Sequence, residues 1–284
     1  MPEINLNGVD YFYRRRGTGP ALLLLHGFTG SSQGWAWVME QLAGRYDLIA
    51  IDLLGHGRTA APPEPDRYQM TRAAADLLCL LNTLKISKAN VLGYSMGGRL
   101  ALFLAANHPH RWQSLILESA SAGLAAESDR LARRKQDNQL ANRLEAQDIS
   151  TFVDEWEKIP LFASRQQLSP EVHSALRAQR LQNSTKGLAN SLRGMGTGQQ
   201  PSLWAELPTI SVPVLLLAGV LDEKFMKINA EMENLLPAAR LESVAGAGHT
   251  IHLEQPERFI TAVSTFLEQH NPQTPAQSTA PDQR

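Results

Sequence analysis

Short runs in which nearly every position is apolar alternate along this chain with stretches whose apolar residues recur every three or four positions. The runs are Ala21 to Leu25, Asp47 to Ile51, Ala89 to Tyr94, Trp112 to Leu117 and Pro213 to Ala218, and Arg240 to Val244 supplies a further strand. The helical stretches are Trp35 to Leu42, Tyr68 to Leu84, Gly98 to Asn107 and Pro256 to Glu268. A strand that is apolar on both faces must be covered on both faces, and the intervening helices supply the cover. The pattern therefore predicts an α/β fold built of βαβ units, with a mostly parallel sheet between two helical layers. Residues 3 to 16 depart from it and predict a hairpin, with Asn7-Gly8 as the turn.

The rhythm fails between about Ser121 and Glu206. Arg, Gln, Asn and Leu recur there at helical spacings and no convincing strand occurs, which predicts a helical cap inserted after the strand ending at Leu117. The expected division is 1–120 for the first part of the core, 121–206 for the cap, 207–270 for the second part and 271–284 for a loose tail. That tail, NPQTPAQSTAPDQR, has almost no bulky apolar side chain to offset the entropy of ordering it. No internal repeat is apparent.

Composition narrows the function classes. A chain of 284 residues can bury a large core, and a formal net charge of -1 without a basic stripe excludes a nucleic-acid footprint. No apolar run is long enough to span a bilayer, and MPEINLNG lacks the apolar core of a signal peptide, so a cytoplasmic protein with no membrane insertion is expected. The single cysteine, Cys79 in LLCLLNTL, is expected on a buried helix face and cannot form a disulfide within the chain. Oligomeric state is not readable from the sequence.

The candidate chemistry starts at Gly93-Tyr94-Ser95-Met96-Gly97, a G-x-S-x-G sequence with a strand before it and a helix after it. Glycines there remove Cβ atoms where strand and helix nearly touch, so Ser95 can occupy a strained turn with its hydroxyl exposed. A serine hydroxyl needs a base, and His249 in AGAGHTIHLEQPE follows the last predicted strand. The imidazole needs a carboxylate to hold its tautomer. Asp222 in LLLAGVLDEKF is preferred, and spacing alone leaves Glu223 open. Charge developing on a substrate oxygen calls for backbone donors, and the amides of Met96 and of Phe28, in HGFTG, are the candidates.

Other histidines and glycines read as structural. His252 heads toward the closing helix, His26 holds the HGFTG loop, and Asp52 and His56 organise the DLLGHGR loop. That loop lacks G-x-G-x-x-G spacing and a following Gly-Lys-Ser/Thr, so it carries no phosphate-binding pattern. The histidines show no metal-ligand spacing, so neither a metal nor a cofactor is expected.

HGFTG, DLLGHGR, GYSMGGR, LDEKF and AGAGHTIHLEQPE together resemble the α/β-hydrolase fold over nearly the whole chain. GYSMGGR, EWEKIPLF, RLQNSTKGLANSLRGMGTGQQPSLW and LDEKF more specifically resemble the 2-succinyl-6-hydroxy-2,4-cyclohexadiene-1-carboxylate synthases of menaquinone biosynthesis. Members of that family eliminate pyruvate from 2-succinyl-5-enolpyruvyl-6-hydroxy-3-cyclohexene-1-carboxylate, with a triad serine as the base that removes a ring proton. The resemblance implies a triad of Ser95, Asp222 and His249. It further implies carboxylate-binding roles for Arg99, Arg133 (with Arg134 as the alternative) and Arg180, and pocket roles for Trp156 and Tyr94. It departs from the family's pattern where Glu157, Lys158 and Ile159 stand in place of glutamines before the proline of the W-x-x-x-P-x-F stretch.

The chemistry is consistent with those arginines. The partner would be a small substrate with three carboxylates, and guanidinium groups meet carboxylates through planar, bidentate hydrogen bonds. Arg99 lies one helical turn beyond Ser95 and can point toward the same mouth. Periodicity alone reads Arg133, Arg134 and Arg180 as solvated cap surface. The main alternative is a serine hydrolase of a small carboxylated ester or a carbon–carbon bond, which would share triad, oxyanion donors and cap. A binding module without catalysis would have no need of Ser95, Asp222 and His249 together.

Overall fold

The structure is a computed structural model that describes residues 3–271. The tail expected over 271–284 therefore lies outside the described residues, apart from Asn271. The chain opens with β1 (Glu3–Leu6) and β2 (Val9–Arg16), joined at Asn7 and Gly8, both with positive φ, as a tight twisted hairpin turn requires. β3 (Ala21–Leu25), α1 (Ala36–Leu42), β4 (Asp47–Ile51), α2 (Met70–Thr83), β5 (Ala89–Tyr94), α3 (Met96–Asn107) and β6 (Trp112–Glu118) follow. After an excursion of helices, the chain returns through β7 (Val214–Gly219). The strands lie in the order β1-β2-β4-β3-β5-β6-β7-β8, where β8 is Ala239–Val244. β1, β2 and β4 pair antiparallel, and every pairing from β4 to β8 is parallel.

The wholly apolar runs form central strands because both of their faces are covered. Leu23 and Leu25 of β3 enter one core with Val91, Leu115, Leu117 and Leu216. Leu22 and Leu24 enter the other with Leu92, Ile116, Leu215 and Leu217. Alternation of side chains along each strand thus splits one apolar run between two layers of helix.

Between β6 and β7 lie α4 (Glu127–Ala146), α5 (Ile149–Trp156), a 3-10 stretch (Pro160–Gln167), α6 (Pro170–Leu181) and α7 (Thr185–Met195), with no strand among the described residues. Asp137, Ala141 and Leu144 form the buried face of α4, one helical turn apart, and the last two join Phe152, Val153, Leu188 and Leu192 in a small separate core. Asp148, Ser169 and Ser184 cap α5, α6 and α7 with side-chain oxygens, which is why each helix starts where it does.

Several boundaries differ from the sequence reading. The first expected helix begins as a 3-10 turn, Ser32–Trp35, and α3 starts at Met96, directly after the candidate nucleophile. A helix that the pattern did not reveal, α8 (Glu223–Leu235), follows β7, and α9 (Ile251–Glu254) precedes α10 (Pro256–His270). Cys79 is only half-buried: it sits at the edge of the core on α2 and is a free thiol. No helix among the described residues is long and apolar enough to cross a membrane.

Candidate active site

The carboxyl ends of β3, β5, β7 and β8 converge, and the candidate residues lie just beyond them, where ligands bind in open parallel sheets. Ser95 has φ 50 and ψ -107, a strained conformation at the junction of β5 and α3. The junction is possible because of two glycines. A Cβ on Gly93 would lie 2.4 Å from the carbonyl oxygen of Gly97, and one on Gly97 would lie 2.2 Å from that of Leu25.

His249 bridges serine and acid. Its Nε2 lies 3.1 Å from Ser95 Oγ, and its Nδ1 lies 2.7 Å from Asp222 Oδ2. Asp222 also caps α8, since its Oδ1 accepts from the amide of Phe225 at 3.3 Å. The unforeseen helix thus anchors the carboxylate. Glu223, adjacent in sequence, is exposed within the first turn of α8 and has no such contact with the imidazole among the described residues. Glu254 braces the histidine loop by accepting from the amides of Gly248, at 2.6 Å, and Thr250, at 3.0 Å.

The two candidate amide donors lie at the start of α3 and in the turn after β3. Met96 is the first residue of α3, where amides have no partner within the helix. Phe28 sits in the turn after β3, ahead of Thr29 with φ 67. Its ring meets Trp156 edge-on at 5.4 Å and His56 at 5.7 Å.

A cavity of about 510 Å³ opens over Ser95 and His249, between core and cap. Arg99, Arg133, Tyr94, Trp156, Phe28 and Met96 all line it. Arg99 is buried and donates from Nη1 to the carbonyl oxygen of Met195 and to Gln200 Oε1, at 3.0 and 3.1 Å. Burial, followed by the nearby charge of Arg133, lowers its pKa to about 10, while Asp137 opposes the shift; the group remains a cation at neutral pH. Arg133 is held by Asp137, whose Oδ1 accepts from Nε at 2.7 Å. Arg134 faces away and pairs with Glu127, so geometry separates two arginines that the sequence left together.

Arg180 is placed differently. It is buried, donates to Glu157 Oε1 at 2.8 Å and lies outside the lining of the large cavity, in a smaller one that shares Phe28 and Tyr94. Its partner Glu157 is one of the three residues that depart from the resembled pattern.

The loop organisers His26, Asp52 and His56 are buried and hydrogen-bonded to backbone groups. Leu53 donates its amide to His26 Nε2 at 2.9 Å, so Nδ1 carries the ring proton and donates to the carbonyl oxygen of Gly27 at 2.8 Å. Burial lowers the pKa of His26 to about 4, and that of His56, which also feels His26, to about 3. Asp52 accepts from the amides of Ser32 and Arg58, at 2.6 and 2.8 Å. His252 donates its ring Nδ1 to buried Glu118 at 2.8 Å, away from Ser95.

Sequence reasoning passed over Lys224, Glu231, Glu118 and Arg165. Lys224 and Glu231 line the large cavity from α8, and the lysine stands in the quoted LDEKF motif, directly after the acid and its neighbour. Together Arg99, Arg133 and Lys224 outnumber the carboxylate of Glu231 on the cavity wall, which favours an anionic ligand. Among the described residues no cluster of three or more His, Cys, Asp or Glu could hold a metal ion.

Residues 20–256 match the family model of the alpha/beta hydrolase fold, and the chain belongs to that family. The chain is 46% identical over 272 residues, 94% of its length, to a Bacillus subtilis (strain 168) protein assigned as a 2-succinyl-6-hydroxy-2,4-cyclohexadiene-1-carboxylate synthase, covering 99% of that protein. It is 34% identical over 248 residues to the synthase of that name from Enterobacter sp. (strain 638), covering 87% of this chain and 92% of the other. The structure of MenH from S. aureus superimposes with a TM-score of 0.87 at 37% identity, over 92% of this chain and 98% of that one. Within the α/β-hydrolase fold, the chain belongs to the 2-succinyl-6-hydroxy-2,4-cyclohexadiene-1-carboxylate synthase family.

Proposed function

We propose that this chain is a carbon–oxygen lyase of menaquinone biosynthesis. It eliminates pyruvate from 2-succinyl-5-enolpyruvyl-6-hydroxy-3-cyclohexene-1-carboxylate to give 2-succinyl-6-hydroxy-2,4-cyclohexadiene-1-carboxylate. The observation that carries the reading is that Arg99 and Arg133 share one cavity with Ser95 and His249, so carboxylate recognition and a base meet at one place.

In the proposed reaction His249 Nε2 takes the proton of Ser95 Oγ, and Oγ takes the proton of the ring carbon bearing the succinyl group. Asp222 holds the imidazole in the tautomer that can accept, and stabilises it once protonated. The succinyl carbonyl acidifies that ring proton, and the amides of Phe28 and Met96 receive the charge that builds on its oxygen. The released electron pair becomes a ring double bond, the existing double bond shifts by one position, and the C–O bond to the enolpyruvyl group breaks. Enolpyruvate leaves, gains a proton on carbon and becomes pyruvate. Atoms balance without water.

Arg99 and Arg133 would bind substrate carboxylates, while Tyr94 and Trp156 shape the wall. Arg180 would act from the adjoining smaller cavity. The division into a core of residues 1–120 and 207–270 with a cap of 121–206 belongs to the same proposal, as does a cytoplasmic location. Incubating the protein with the enolpyruvyl substrate and, in parallel, with short acyl esters tests the reading. Stoichiometric pyruvate with slow ester cleavage supports the lyase; rapid ester hydrolysis without pyruvate supports the serine hydrolase that shares its triad.

A further inference from the structure

Arg165 stands on the 3-10 stretch of the cap, is 7% exposed, and makes no ion pair with a carboxylate among the described residues. Its charge is met instead by neutral groups. Nε donates to Thr250 Oγ1 at 2.9 Å, Nη2 donates to that same oxygen at 2.5 Å and to the Tyr94 hydroxyl at 3.2 Å, and the guanidinium lies 3.6 Å from the centre of the Phe162 ring. The two hydroxyls lie 3.0 Å apart and close a triangle with the guanidinium. Nη1 is buried with no hydrogen-bond partner among the described residues.

The two hydroxyls are the significant part. Tyr94 immediately precedes Ser95, and Thr250 immediately follows His249. A single cap side chain therefore grips the residue next to each member of the pair whose separation is 3.1 Å. The neighbouring cap residue is seated on the same loop, since a Cβ on Gly248 would lie 2.1 Å from Ser164 Oγ. The hydrogen bonds of Arg165 to both loops exist only while this stretch of the cap is down. An acidic partner on the cap would satisfy the guanidinium whatever the cap did; hydroxyls of the core satisfy it only in the seated arrangement.

We infer that Arg165 is a positioning residue, which ties seating of the cap to the alignment of Ser95 and His249 by holding Tyr94 and Thr250 together. The inference rests on the proposed roles of Ser95 and His249, but not on the identity of the substrate. Burial lowers the pKa of Arg165, and Tyr94 and the charge of Glu254 oppose that shift.

Two readouts test it: pyruvate release at saturating substrate, and the second-order rate at which a fluorophosphonate modifies Ser95, which reports the serine–histidine pair without the natural substrate. R165M keeps the stem and removes the fork; R165K restores charge alone; T250V removes the shared acceptor and T250S keeps it. R165M and T250V should each lower kcat about 10- to 100-fold with KM within about threefold, and slow serine modification in parallel. R165K should recover part of the loss and T250S most of it. The double variant R165M/T250V should be little worse than either single one, because both break the same contact. Rates within twofold of the parent in R165M and T250V, or fully additive losses, would overturn the inference. So would a fall in melting temperature with kcat unchanged, which is what a merely structural arginine gives. If the parent reacts with the fluorophosphonate but releases no pyruvate, the synthase reading fails while the serine-modification rates still decide the role of Arg165.

Discussion

Arg133 is fixed by Asp137, one turn further along α4: Oδ1 accepts from its Nε at 2.7 Å, while Oδ2 accepts from the amide of Gly198 at 3.1 Å. Asp137 is buried, so its position is set by the cap's own backbone and it sets the guanidinium in turn. Asp137→Asn weakens the charge-assisted bond but keeps the shape. It should raise KM for the enolpyruvyl substrate about 3- to 10-fold with a smaller change in kcat. An unchanged KM would mean that Arg133 orients itself without this carboxylate.

Arg99 and Arg133 should each matter through carboxylate recognition. Replacing either by alanine removes bidentate, charge-assisted donors and should cost roughly 2 to 4 kcal/mol, or about 30- to 1000-fold in kcat/KM. Lysine should rescue only partly, because an ammonium lacks the planar fork. Residual cleavage of a neutral ester should be nearly unaffected; equal losses on charged and neutral substrates would show that these arginines serve the cap's structure instead.

Asp222→Asn should lower turnover by at least about a hundredfold, because an amide that donates to His249 Nδ1 selects the wrong tautomer. Glu223→Gln should leave the rate within a few-fold of the parent, since that side chain sits in the first turn of α8 away from the imidazole. The reverse ranking in steady-state assays would move the acid's role to Glu223.

The parts of the fold that were legible in the sequence are those where burial is one-sided or total. Leu22 to Leu25 could be read as a strand because every position enters one of two cores. The elbow at Ser95 was readable because the G-x-S-x-G spacing is local and Gly93 meets Gly97 and Gly98 within a few residues of it, although Gly97 is required by the distant Leu25 and His26. α8 was hidden because its buried face includes Asn229 beside Met232, and its exposed positions carry Glu and Lys in a segment that resembles a loop motif. Arg165 was hidden for a different reason: its partners Tyr94 and Thr250 lie 71 and 85 residues away, so no local pattern distinguishes it from cap surface. Arg133 and Arg134 have the same composition and neighbourhood, and only the direction of each side chain separates them.

His26 and His56 make stability depend on pH in a defined sense. Both have folded pKa values depressed by burial, to about 4 and about 3, below the ordinary histidine value near 6.5. Between those values and about pH 6.5 the unfolded chain binds more protons than the folded one. Their contribution is thus fully present above about pH 6.5 and is lost as pH falls, by up to roughly 1.4 kcal/mol per pH unit for each. Urea unfolding from pH 4.5 to 7 should show the rise, and His26→Asn should flatten it. A slope identical to the parent's would show that His26 titrates alike in the folded and unfolded chain.

Gly187 on α7 meets Gly55 of the core backbone to backbone, and a Cβ there would lie 2.4 Å from the Gly55 carbonyl oxygen. Gly187→Ala should push the cap from the core and destabilise the protein by about 1 to 3 kcal/mol in chemical denaturation, with a loss of activity. Parent-like stability and rate would show that this junction can yield without cost.

In the proposed reaction Ser95, set in the arginine-lined cavity, removes a ring proton and so expels pyruvate. The most direct test is the rate of pyruvate release from 2-succinyl-5-enolpyruvyl-6-hydroxy-3-cyclohexene-1-carboxylate by the parent and by Ser95→Ala, with folding checked by circular dichroism. Stoichiometric pyruvate is expected from the parent, and release at least about a hundredfold slower from a fully folded Ser95→Ala. Release by Ser95→Ala within a few-fold of the parent, or none from the parent, would contradict the proposed reaction.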